Sequence, residues 1–274
     1  MRFVAILMLS ACAWGQSQPF KLEMPKREIP AYIREKLSSQ DRDLFSKLIN
    51  VDLESAWAVV NTEGYPNCFI NELDGIMPAQ RMVGRARTIR YLPNRKDLRD
   101  KLYSAGPQLN YKSAEDAQPG DILVFDAGGE VRSAVSGDVT TTRFVVRGGA
   151  GIVVDGAMRD IPEIRAMGLP VYLRRGQAMG VAPIQMSADY QIPVRIAGVT
   201  VLPGDILLGA PHGVLVIPAA IAEKVAAGAQ EVDQREYFQR RLLLEGQSIF
   251  DVYPNMSDAN KKEYDEYRKK AAQQ

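Results

Sequence analysis

The chain has 274 residues, 46% of them hydrophobic and 24% charged. That composition excludes a disordered or fibrous protein and suffices for one large domain or two small ones. Lys plus Arg number 34 against 33 for Asp plus Glu, a net charge of +1, so the chain carries no electrostatic footprint for nucleic acid. With one histidine and two cysteines, a multi-histidine or cysteine zinc site and a disulfide framework are excluded, and a Ser-His-Asp triad would have to use His212.

At the N-terminus Arg2 precedes the apolar run Phe3 to Leu9, and Ala13-Trp14-Gly15 follows. A positive start, a short apolar stretch and a small-x-small site predict a signal peptide over residues 1–15 and a periplasmic protein. The run is far shorter than the about 20 residues that span a bilayer. Leu9-Ser10-Ala11-Cys12 offers an alternative, a lipoprotein box with anchoring through Cys12. Residues 16–50 are polar, with short helical stretches at Ile33–Leu37 and Asp41–Leu48, and predict an arm laid over the core. A helix is expected near Leu53–Asn61 and a strand at Arg85–Tyr91. The runs Ile122–Phe125, Gly151–Val154, Val171–Leu173, Val199–Leu202, Ile206–Leu208 and Val214–Ile217 are short, rich in β-branched residues and bounded by Gly, Pro or Asp. These are the marks of buried strands. Helices are predicted between them at Asp138–Val146 and Ile161–Met167, and after them over Ala219–Leu244. Residues 251–274 form a Lys- and Tyr-bearing tail, expected to be a solvated helix or a frayed end from Pro254 on.

Pro119-Gly120-Asp121-Ile122-Leu123 recurs as Pro203-Gly204-Asp205-Ile206-Leu207. Pro followed by Gly suits a type II turn, so Asp121 and Asp205 are assigned to turns rather than to chemistry. Asp155, before Gly156, is read as a turn residue too, and His212 as an exposed loop histidine.

Chemistry concentrates in Ser136-Gly137-Asp138-Val139-Thr140 and in the strand that leads to Arg159-Asp160. A strand ending there brings a guanidinium and a carboxylate to its C-terminal edge, where α/β proteins gather functional groups. An Arg beside an Asp can hold a carboxylate next to a hard divalent cation. The same residues admit a structural reading: Asp160 and Glu163 as a capping box, and Asp138 as a plain N-cap.

The block from Asp138 to Arg159-Asp160 resembles the RraA-like family, whose members include class II 4-hydroxy-4-methyl-2-oxoglutarate/4-carboxy-4-hydroxy-2-oxoadipate aldolases. Their signature is an Asp, twenty intervening residues, then Arg-Asp, the count found here. Val83-Gly84-Arg85-Ala86, Leu169-Pro170-Val171, Gly198–Asp205 and Gly213–Pro218 extend the likeness over roughly residues 50–250. The resemblance implies an α/β fold, a swivelling β/β/α-type mixed core over residues 51–250 with peripheral N- and C-terminal helices. It also implies a trimer or hexamer with the site between subunits. Asp160 would position Mg²⁺ or Mn²⁺, and Arg159 would bind the carboxylate and enolate oxygen of a small 2-oxo acid. Asp138 would hold metal-bound waters, and amides of Gly137, Asp138, Val139 and Thr140 would contact substrate. A neighbouring subunit would add Glu236, or else Glu231.

Cleaving a 4-hydroxy-2-oxo acid leaves a pyruvate enolate, which needs a Schiff-base lysine or a metal. No lysine lies between Lys112 and Lys224, so an aldolase built on this block is expected to be metal-dependent. Oxaloacetate decarboxylation, through the same enolate, is expected beside it. The alternative is a non-catalytic regulator of the RraA type that acts by binding another protein.

Overall fold

The computed structural model describes residues 22–24, 26–77 and 80–271; the expected signal peptide and Cys12 lie outside them. In chain order the elements are α1 (Ala31–Arg34), α2 (Ser39–Leu48), α3 (Leu53–Thr62), β1 (Phe69–Ile70), β2 (Asp74–Gly75) and β3 (Met82–Pro93). Then come α4 (Lys96–Ala105), α5 (Leu109–Glu115), β4 (Asp121–Ala134), α6 (Asp138–Val146), β5 (Gly151–Met158), α7 (Ile161–Ala166), β6 (Val171–Gly176) and β7 (Gln185–Tyr190). The chain continues through β8 (Val194–Ile196), β9 (Val199–Val201), β10 (Ile206–Ala210), β11 (Gly213–Ile217), α8 (Ala222–Leu244), α9 (Ile249–Val252) and α10 (Asp258–Ala271). This is the mixed α/β architecture that the resemblance implied, with strands where the apolar runs predicted them.

Contacts divide the chain into two compact units, one over residues 26–234 and a smaller one formed by residues 22–24 and 235–271. The larger holds a sheet of order β1-β11-β10-β3-β4-β5-β6-β2, with β7 also paired to β3. Strands β3, β4, β5 and β6 run parallel, and the strands around them antiparallel. Every residue of β5 is buried. Val153 packs into a cluster with Phe45, Leu48 and Val225 on one face, and Ile152, Val154 and Met158 into a cluster with Phe144 and Ile164 on the other. A strand covered on both faces is near-continuously apolar, and for that reason Gly151–Val154 was readable without alternation. Phe144, fully buried on α6, shares the second cluster with Leu123, Ile152 and Leu169. Phe144→Ala is expected to cost about 3–5 kcal/mol, measurable as a lowered urea midpoint at unchanged slope.

Residues 26–50 are more than a surface arm, because Ile29, Ile33, Leu37, Leu44, Phe45 and Leu48 are all buried in the first cluster. The repeated turn behaves as expected. Gly120 and Gly204 take φ of 84° and 87°, a conformation that favours glycine. Asp121 Oδ2 accepts from the Gln118 N–H at 2.7 Å, and Asp205 Oδ2 from the Leu202 N–H at 2.8 Å. Asp155 is not a turn residue. It lies inside β5, 5% exposed, with Oδ1 accepting from Arg174 Nε at 2.5 Å and Oδ2 from the Ala197 N–H at 2.9 Å. A buried carboxylate needs such partners, and here they tie β5 to β6 and to the β8–β9 hairpin.

In the smaller unit the tail is neither frayed nor solvated all round. Tyr264 of α10 is 7% exposed and packs on Phe238 with ring centroids 5.2 Å apart, beside Leu242, Val252 and Met256. Its Lys residues mask an apolar stripe too narrow to register in composition. Among the described residues no helix is long and apolar enough to cross a membrane.

Candidate functional site

Two segments meet at the C-terminal edge of the parallel strands. β5 ends at Met158 and passes directly to Arg159 and Asp160. β4 ends at Ala134, and Val135–Gly137 leads into α6. Backbone hydrogen bonds hold the two together: the Val135 N–H donates to Ala157 O at 2.9 Å and the Arg159 N–H to Ser136 O at 3.1 Å. Gly137 therefore lies against the Arg159–Asp160 pair. A Cβ on Gly137 would stand 2.7 Å from Arg159 Nε and 2.9 Å from Arg159 Cγ, and closer still to Asp160 Oδ2. No residue but glycine leaves these side chains where they are.

Asp160 is the N-cap of α7 with φ 58° and ψ 40°, and its side chain makes no capping hydrogen bond. The capping-box reading is thus overturned: a left-handed Asp160 turns its carboxylate away from the helix it precedes. Oδ2 instead accepts from the Asp138 N–H at 3.2 Å and from Arg159 Nε at 3.1 Å. No described residue donates to Oδ1. The carboxylate is 32% exposed and the guanidinium 47%. An exposed pair of this kind adds little to stability. Nor is Asp138 a plain N-cap. Gly137 occupies that position, Asp138 opens the helix, and its Oδ1 accepts from the Val139 N–H at 2.7 Å. Two first-turn amides, those of Asp138 and Val139, are therefore already engaged by carboxylates. Val139 is 75% exposed and Thr140 9%.

Gly137, Asp138, Arg159 and Asp160 are thus brought together, with Val139 and Thr140 on the adjoining turn. Glu231 and Glu236 both lie on α8, Glu231 in the larger unit and Glu236 in the smaller. His212 is exposed as expected, its Nδ1 2.7 Å from Glu54 Oε1. Two features escaped the sequence reading. Ser136 is 6% exposed, and its Oγ has no partner among the described residues; a serine before Gly-Asp carries no signal of that. The loop after β6 folds back beside Arg159: the Gln177 N–H donates to Met158 O at 2.9 Å, and a Cβ on Gly180 would stand 3.8 Å from Arg159 Nη1.

The donor set is compatible with a hard cation. Asp160 Oδ1 and the Asp138 carboxylate are oxygen donors of the kind Mg²⁺ and Mn²⁺ prefer. Among the described residues no group of three or more His, Cys, Asp or Glu is placed to hold a metal. An ion here would be held by one direct carboxylate and completed by water and substrate, the pattern of sites that bind a metal–substrate pair.

A family model described as RraA-like, Aldolase/RraA, matches residues 53–216. The chain belongs to this RraA-like family. A Thermus thermophilus relative named 4-hydroxy-4-methyl-2-oxoglutarate aldolase is 31% identical over 142 residues, 50% of this chain and 76% of the relative. A Halalkalibacterium halodurans protein bearing the same aldolase name in provisional form is 31% identical over 162 residues, 59% of this chain and 71% of the relative. Among solved structures, a Streptomyces coelicolor protein described as an unusual member of the RNase ES inhibitor RraA family superposes with a TM-score of 0.66 at 29% identity. The match covers 74% of this chain and 98% of that one. The RraA-like family thus embraces proteins named for catalysis and proteins named for inhibition. Aldolase names among the relatives point to a lyase.

Proposed function

We propose that the protein is a divalent-metal-dependent carbon–carbon lyase that cleaves a 4-hydroxy-2-oxo acid and releases pyruvate, with oxaloacetate decarboxylation as a second activity. The observation that carries this reading is the left-handed Asp160. Its Oδ2 is fixed by Asp138 and Arg159 while Oδ1 stays open, next to a guanidinium whose outer nitrogens have no partner among the described residues. A bound Mg²⁺ or Mn²⁺ would supply Lewis acidity for the negative charge that develops on the 2-oxo group.

The rest is the work of side chains. Arg159 binds the C1 carboxylate and the 2-oxo oxygen through Nη1 and Nη2. The C4 hydroxyl gives up its proton, the C3–C4 bond breaks, C4 becomes a carbonyl, and the electron pair forms the C2–C3 enolate. Protonation at C3 completes pyruvate. Asp138 orders water on the cation side of the pair, and the amides of Gly137 and Thr140, the two of that turn not taken by the carboxylates of Asp138 and Asp160, orient the 2-oxo acid. The lysine-free stretch from Ser113 to Glu223 leaves no amine for a Schiff base in the block that holds the site. Because Arg159 and Asp160 are open to solvent in a single chain, we assign the remaining wall to a neighbouring subunit of a homotrimer or hexamer, with Glu236 or Glu231 of α8 as the acid–base group. The N-terminal pattern assigns the protein to the periplasm, soluble or anchored through Cys12.

The test is pyruvate release from 4-hydroxy-4-methyl-2-oxoglutarate and from oxaloacetate, assayed with Mg²⁺, with Mn²⁺ and in EDTA. Activity restored by either ion and abolished in EDTA is the expected result. Undiminished activity in EDTA overturns the metal dependence, and no pyruvate under any condition overturns the lyase. The likeness to an unusual member of the RNase ES inhibitor RraA family supports a second reading, a non-catalytic regulator. Inactivity together with saturable binding to a ribonuclease would establish it.

A further inference from the structure

The chain leaving β6 builds a further side of the candidate site. It crosses the end of β5 toward the end of β4, the two strands that carry the site. The Gln177 N–H donates to Met158 O at 2.9 Å, the Ala134 N–H donates to Met179 O at 2.7 Å, and Gly180 forms a parallel bridge with Ala134. Residues 177–180 are therefore pinned on one side to the residue before Arg159 and on the other to the segment that leads to Gly137.

Gln177 holds this crossing with both ends of its amide. Its Oε1 accepts from the Met179 N–H at 3.2 Å, and its Nε2 donates to Val131 O at 3.3 Å. One half-buried side chain thus closes the turn of the loop and ties it to the outer part of β4. Gly180 is required neither by backbone nor by packing. Its φ lies outside the left-handed range that favours glycine. A Cβ there would have a single heavy atom within 4 Å, Arg159 Nη1 at 3.8 Å, an ordinary contact. What the glycine preserves is open space beside that guanidinium. Only Nε of Arg159 is engaged among the described residues, by Asp160, so the outer nitrogens are left for a ligand.

We propose that residues 177–180 form the wall of the acid-binding site beside Arg159 Nη1, with Gly180 as a specificity-determining position and Gln177 as the residue that positions it. A longer side chain at 180 would compete with a bound carboxylate for the space onto which the outer nitrogens open, so glycine admits acids that a larger residue would exclude. The inference rests on the reading of Arg159 as the group that binds the substrate carboxylate.

The test uses the whole protein with Mg²⁺ and has two readouts. One is the Kd of oxalate, a small acid shaped like the pyruvate enolate, by calorimetric titration; the other is kcat and KM for pyruvate release. Gly180→Leu is expected to raise Kd and KM about tenfold or more, with kcat and the melting temperature near their parental values. Gly180→Ala places its methyl at ordinary contact distance and is expected to change either constant by less than about threefold. Gln177→Ala frees the loop and is expected to raise Kd and KM with little loss of kcat. In the double variant with Gly180→Leu the two effects should fall short of their product, because a loosened loop no longer holds the leucine over the guanidinium. Effects that multiply in full, or a lowered melting temperature with parental Kd in Gln177→Ala, would overturn the positioning role. Parental Kd and KM in Gly180→Leu would overturn the wall and leave the reading of Arg159 standing. If the parent binds no oxalate, or Arg159→Ala binds it equally well, that reading fails and the wall fails with it.

Discussion

Asp160→Asn is expected to lower kcat for pyruvate release by about 10²–10³-fold while leaving the melting temperature within a few degrees of the parent. Asparagine keeps the size of the side chain and tolerates the left-handed region as aspartate does, so φ of 58° can be retained. Alanine would add backbone strain to the loss of charge and confuse the two. What asparagine removes is the anion. Asp160 Oδ2 accepts from both the Asp138 N–H and Arg159 Nε, and Oδ1 is the open oxygen offered to a cation. An amide can orient its oxygen toward the two donors, which places its NH₂ where the cation should sit. The fold loses little because the pair is partly exposed. Glu163→Gln is the companion control: the capping box is not formed, so activity and stability should both be unchanged. Parental kcat in Asp160→Asn would end the metal-assisted mechanism outright.

Much of this arrangement was legible beforehand, for a physical reason. β5, β10 and β11 are buried along their whole length, and a fully buried strand spells itself almost entirely in apolar residues, Asp155 of β5 excepted. α6 was found with its observed bounds, Asp138–Val146, because a Gly turn and an acidic first turn mark its start. What escaped has equally definite causes. α4 buries none of its residues, so no apolar stripe marks it. β4 continues past Phe125 to Ala134 through Gly128 and Gly129, both at positive φ. That course is dictated by pairing to β5 with shifted register, which local sequence does not encode. Asp155 was misread because a charged residue before glycine is usually a turn, whereas here Arg174 and the Ala197 N–H, distant in sequence, satisfy it inside a strand. Arg159, Asp160 and Asp138 were legible as a spacing, but that spacing could not show the left-handed Asp160. Nor could it show how closely Gly137 approaches the pair. Both arise from the way β5 and the end of β4 are zipped together, a long-range contact.

That close approach makes Gly137→Ala the sharpest separation of site from scaffold. Gly137 has φ −144° and ψ −167°, extended backbone that alanine adopts freely, and the substitution also reduces the freedom of the unfolded chain. The three atoms nearest the new methyl all belong to side chains, Asp160 Oδ2 with Arg159 Nε and Cγ, and these partly exposed groups can swing aside. Stability is therefore expected to change by less than about 1 kcal/mol. Activity is expected to fall about 10²-fold, because displacing reacting groups by roughly 1 Å costs that much. Gly149→Ala should do the reverse. A methyl there would run into the ring of Phe144, which is fully buried in the core and has nowhere to go, so the urea midpoint should drop while kcat of the folded fraction persists at low temperature. Paired measurement of kcat and urea midpoint on the two variants decides the matter. Parental kcat with a lowered midpoint in Gly137→Ala would mean that the glycine serves packing alone, and that the Arg159–Asp160 pair need not stay where Gly137 lets it lie.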